Sequence, residues 1–108
     1  LPGNTKQQRM KLQIEAPFQL SAPMEELVNE KVNKLSTFFE RITSAHVFFK
    51  DEVQRFQRKD QRTVEIRIEV PGNSLFASDS AETFEKAIAN ATQKLQRQLK
   101  KYKESLSH

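Results

Sequence analysis

Residues 63–70 read TVEIRIEV. Val64, Ile66, Ile68 and Val70 alternate with Glu65, Arg67 and Glu69, so an extended backbone carries one apolar side and one charged side. That is the pattern of a strand with one face buried and the other in water. Pro71-Gly72-Asn73 follows as a turn signal, and residues 74–78 (SLFAS) read as a short further strand, giving an antiparallel hairpin. On the other side, residues 54–62 (QRFQRKDQR) form a polar connection, and residues 45–53 (AHVFFKDEV) read as another strand. Phe48 and Phe49 are adjacent and cannot share one sheet face, so one is expected to be exposed or packed under a loop.

Further out, Met10, Leu12, Ile14 and Ala16 alternate with polar residues until Pro17 closes the segment, a first strand over 10–16. Ser21 is placed as an N-cap, with Pro23 in the first turn. Val28, Val32, Leu35, Phe39 and Ile42 then recur at helical spacing, which predicts a helix over 22–41. A last helix, with Asp79 and Ser80 as candidate caps, carries Phe84, Ile88, Ala91, Leu95, Leu99, Tyr102 and Leu106 on one side. The order is β-α-β-β-β-α. One apolar sheet face and two apolar helical stripes are satisfied together by a two-layer α+β sandwich, a four-stranded sheet with both helices on one face. Residues 1–9 show no periodicity. They are expected to be an added remnant or a disordered arm, with residues 10–108 as a single domain.

The 108 residues include no Cys, two His and only two Gly, which rules out disulfides, thiol catalysis and the common glycine-rich phosphate loops. No paired carboxylates or lone histidine form a catalytic constellation, so no enzyme, no metal and no cofactor are expected. No apolar run approaches the ~20 residues of a membrane span. The net charge is +4 and unevenly placed: residues 54–62 carry +3, residues 63–85 carry −4 and residues 86–108 carry +5. On the last helix, Lys86, Lys94, Arg97, Lys100 and Lys101 fall within an arc of about 120° opposite the apolar stripe. Lys94, Arg97 and Lys101 make a ridge and Lys100 flanks it. On the first helix, Lys31, Lys34 and Arg41 line one shoulder. Such a rigid cationic surface suits the phosphates of folded RNA, although a solvated helix face would also account for it.

The first helix ends in the pattern KLxxFFxRI (Lys34 to Ile42), a strand then opens with AHV, and the last helix carries KLxRQLxKYKxxL (Lys94 to Leu106). Together with the element order, these residues resemble the ribosome hibernation-promoting factor family, relatives of the ribosome-associated translation inhibitor, in its short form. The resemblance implies a stress or stationary-phase factor of the bacterial cytoplasm or a plastid. Such a factor binds small-subunit rRNA near the A and P sites of the 70S ribosome, keeps tRNA and mRNA out, and silences translation. Short forms are associated with ribosome dimers made with a separate modulation factor. Carried over, the rRNA contacts would come from Lys31, Lys34, Arg41, Lys94, Arg97, Gln98, Lys101 and Lys103. Lys86 and Lys100 share the basic face but match the family pattern less closely. The loop cations Arg55, Arg58, Lys59 and Arg62 either reach rRNA or are merely solvated. No membrane partner is expected, and the free protein is expected to be a monomer. The alternatives are a general double-stranded RNA-binding module and a protein-interaction domain whose basic face is merely solvated.

Overall fold

The computed structural model describes residues 10–52 and 61–106. The elements run β1 (Lys11–Glu15), α1 (Ala22–Lys34), β2 (Ser44–Glu52), β3 (Gln61–Val70), β4 (Asn73–Ala81) and α2 (Phe84–Ser105). The strands lie in the spatial order β1-β2-β3-β4, with β1 parallel to β2 and the remaining pairs antiparallel. The parallel pair follows from the crossover helix α1, and the antiparallel pairs from direct connections. The β3–β4 turn places only Pro71 and Gly72 between the paired Val70 and Asn73. Proline fixes its own φ, and Gly72 takes φ +75°, a region where a side chain is strained.

Register sets the core. Ala45, Val47 and Phe49 of β2 lie against Ile68, Ile66 and Val64 of β3, and Ala77 of β4 lies opposite Ile66. All are buried in a single cluster with Val28, Val32 and Leu35 from α1 and its extension, and with Ile88, Ala91, Leu95 and Leu99 from α2. Both helices therefore cover the same face of the sheet, as the two-layer reading expects. Thr92, the one buried polar residue of α2, donates its hydroxyl to Ile88 O and Ala89 O, both at 2.9 Å. Phe49 is the buried member of the Phe pair. Phe48 lies on the opposite face, stacked on His46 with ring centroids 4.1 Å apart.

Two helical boundaries differ from the sequence reading. The first helix was expected to reach residue 41, but α1 stops at Lys34 and continues as a single 3-10 turn, Leu35–Thr37. The reason is local. The Ser36 and Thr37 hydroxyls bond back to Asn33 O and Lys34 O, each at 2.6 Å, and compete with the α-helical pattern. Arg41 thus belongs to the turn before β2, not to a helix shoulder. At the other helix, Asp79 and Ser80 are strand residues. The β3–β4 ladder runs on to pair Thr63 with Ser80, whose hydroxyls lie 2.7 Å apart. The cap is Thr83, whose Oγ1 accepts the Lys86 amide at 3.1 Å. Thr83→Ala should cost about 1 kcal/mol, read as a shift in urea midpoint at constant m-value, whereas Ser80→Ala should leave the start of α2 intact.

Candidate nucleic-acid interface

Helix α2 carries most of the predicted cations. Its buried stripe of Ala87, Ile88, Ala91, Thr92, Leu95 and Leu99 fixes its rotation about its own axis. At about 100° per residue, Lys86, Arg97, Lys100 and Lys101 then point away from the core. All four are exposed. Among the described residues none of these four forms an ion pair. Arg97, Lys100 and Lys101 sit on adjacent turns and repel one another, with Lys86 about three turns earlier on the same side, so the arrangement favours anything that supplies negative charge along the ridge.

Lys94 and Gln98 have a different setting. Lys94 Nζ donates to Ser78 O at 2.8 Å and lies 3.1 Å from Asp79 Oδ1. Gln98 Nε2 donates to Phe76 O at 2.8 Å. One turn earlier, Asn90 Nδ2 donates to Asp79 Oδ2 at 2.9 Å, and near the C-terminus the Tyr102 hydroxyl donates to Pro71 O at 2.7 Å. These side chains lace α2 along the outer edge of β4 and take up carbonyls that an open edge would leave unpaired. The sequence reading grouped Lys94 with the exposed ridge. The structure instead places its ammonium between the helix and the strand. The polar row Asn90-Lys94-Gln98 at four-residue spacing was the available signal, but its meaning depends on lying beside Phe76 and Ser78, which only the register reveals.

The first helix contributes less regularly. Lys31 is half-buried, as a lysine beside an apolar stripe can be, while Lys34 and Arg41 are exposed. The C-terminal parts of the helical layer meet where Phe39 packs edge-on against Tyr102, with centroids 5.3 Å apart. Arg41, two residues beyond Phe39, is therefore carried near the end of α2 that bears Lys101 and the exposed Lys103. Of the loop cations, Arg55, Arg58 and Lys59 lie outside the described residues. Arg62 is not a loop residue: β3 begins at Gln61 and pairs Arg62 with Asp51 and Ala81, leaving it half-buried with its guanidinium 5.9 Å from the Phe84 ring centroid. Among the described residues, no group of three His, Asp or Glu could hold a metal ion, and no helix is long and apolar enough to cross a membrane.

An α+β sandwich with a cation-bearing helical layer is the class that fold and surface define. Its arrangement is shared with a ribosomal subunit interface protein from Coxiella burnetii (TM-score 0.74, 22% identity, 87% of this chain and 98% of that one). The N-terminal domain of Protein Y from Thermus thermophilus is also similar (TM-score 0.69, 17% identity, 87% and 98% covered). In sequence, the chain is 34% identical over 86 residues to a ribosome hibernation promoting factor of Pseudomonas putida, covering 80% of this chain and 78% of that protein. It is 33% identical to a ribosome hibernation promotion factor of Deinococcus radiodurans, over 79% of this chain but 44% of that longer protein. The profile of the family described as Sigma 54 modulation protein / S30EA ribosomal protein matches residues 13–107, and the chain belongs to that family.

Proposed function

We propose that this protein is a ribosome hibernation factor of the bacterial cytoplasm. It binds small-subunit rRNA near the A and P sites, keeps tRNA and mRNA from binding, and so inhibits translation under stress or in stationary phase. The observation that carries the reading is the exposed row Lys86, Arg97, Lys100 and Lys101, without ion pairs among the described residues, on a helix fastened to the sheet in a chain of this family. Lys31, Lys34, Arg41 and Lys103 extend the contact, while Lys94 and Gln98 hold α2 in place. The protein acts by occupancy: the ridge meets phosphates, and the bulk of the sandwich fills space that tRNA and mRNA would use. A surface of exposed lysines and arginines suits the closely spaced phosphates of folded RNA better than it suits a base-reading role.

The test is a sucrose-gradient profile of ribosomes with and without the purified protein. Co-migration with the small subunit and with 70S particles, together with loss of tRNA binding, is the expected result. If about five phosphates are contacted, the log–log slope of affinity against salt should be about −3.5 to −4.5. Equal affinity for plain duplex RNA would replace this reading with a general double-stranded RNA module. Absence of co-migration at physiological salt would leave a solvated basic face.

A further inference from the structure

The two edges of the sheet are finished differently. At β4, side chains of α2 take up the outward carbonyls of Phe76 and Ser78. At β1, the Lys11 amide donates to Thr43 O at 3.1 Å, in a parallel register that sets Lys11 beside Ser44 and Glu15 beside Phe48. Backbone groups of successive strand residues point to opposite sides. Lys11, Gln13 and Glu15 therefore face β2, and the amide and carbonyl groups of Leu12 and Ile14 point outward. Among the described residues nothing bonds to those outward groups.

The strand reads KLQIE, and its burial alternates: Lys11, Gln13 and Glu15 are exposed, while Leu12 and Ile14 are half-buried on the helical side. A two-fold axis through Gln13 maps this pattern onto itself with the charges exchanged. We propose that β1 pairs antiparallel with β1 of a second copy of this chain, centred on Gln13, and joins two sheets into one. Leu12 then lies opposite the second copy's Ile14. Both present outward amides and carbonyls, which is the geometry of a mutually hydrogen-bonded antiparallel pair, and the strand pair gains about four backbone bonds. The Gln13 pair on the axis has its backbone turned away, as a non-hydrogen-bonded pair requires. On the open face, Lys11 lies opposite the second copy's Glu15, and Glu15 opposite its Lys11. Glu15 keeps one carboxylate oxygen for this contact, since its Oε2 lies 2.9 Å from His46 Nε2.

Charged residues on an edge strand ordinarily discourage pairing. Here their order converts that protection into attraction for one partner in one register. The interface is isologous, so it closes at two copies. It is built on five residues per copy, which places it among small, concentration-dependent contacts below about 1,200 Å².

Sedimentation velocity of the full chain over a concentration series tests this. The wild type should dimerise as concentration rises. Lys11→Glu sets carboxylates opposite carboxylates, and Glu15→Lys sets ammonium groups opposite one another. Each variant alone should lose association by about tenfold or more, and an equimolar mixture of the two should recover it. A wild type that stays monomeric throughout overturns the proposal. So does a single variant that associates like the wild type, or a mixture that fails to associate. Hydrogen exchange supplies a readout on the unmodified chain: the Leu12 and Ile14 amides should exchange more slowly as concentration rises, and indifference to concentration counts against the pairing. None of these results bears on ribosome binding, which is read separately.

Discussion

Reversing Arg97 and Lys101 to glutamate together should strip the protein from ribosomes while leaving the fold intact. Both side chains are exposed, and neither pairs with a carboxylate among the described residues. The change removes two phosphate contacts and adds two repulsions, so affinity at physiological salt should fall by about two orders of magnitude or more. The residual salt slope should shrink by about 1.4–1.8, the share of two phosphates. Stability should move little. At position 97 the new carboxylate gains Lys94 and Lys100 at i±3, while at position 101 it faces Glu104 at i+3 and the other new carboxylate at i−4, so pairs of about 0.2–0.5 kcal/mol each nearly cancel. Co-sedimentation and thermal melting, measured on the same preparation, should therefore diverge. A variant that melts normally and still sediments with ribosomes would remove the α2 ridge from the mechanism.

Leu95→Ala should produce the largest loss of stability. Leu95 is fully buried on the stripe of α2, in the cluster that includes Ile66 and Ile68 of the sheet and Val32 of α1. Truncation removes the transfer energy of the side chain and leaves a cavity that the surrounding residues fill only in part, at a cost of about 2–5 kcal/mol. Small domains are stable by only about 5–15 kcal/mol, and the midpoint temperature should drop by roughly 10–30 °C. Equilibrium urea denaturation reads the same change. Ribosome binding should weaken only near the melting range, which separates loss of the scaffold from loss of the charges it carries. A destabilisation under about 1 kcal/mol would mean that the site collapses around the smaller side chain.

Patterns that depend on one element alone were legible in the sequence. The alternation of Val64, Ile66, Ile68 and Val70 set one buried sheet face, and the spacing from Ile88 to Leu99 gave α2 its buried side. What escaped depended on contacts between elements or on competition within a turn. The apolar spacing of Phe39 and Ile42 continues past Lys34, yet the Ser36 and Thr37 hydroxyls end the α-helix there. Asp79 and Ser80 are chemically good caps, but the hairpin claims them first. Lys94 and Arg97 look alike as ridge cations, yet one meets Ser78 O and Asp79 while the other points to solvent. No helical wheel distinguishes them, because the difference lies in which flank of the helix runs beside β4.

The lacing of α2 to β4 has a consequence for recognition. Binding a polyanion with flexible lysines ordinarily costs the freedom of every segment that must be ordered. Asn90, Lys94, Gln98 and Tyr102 hold this helix along its flank before any RNA arrives. The backbone that spaces the cations is thus preorganised, and only side-chain rotamers remain to be frozen on contact. Cutting those tethers should show up as a penalty in entropy, with the charges themselves unaltered.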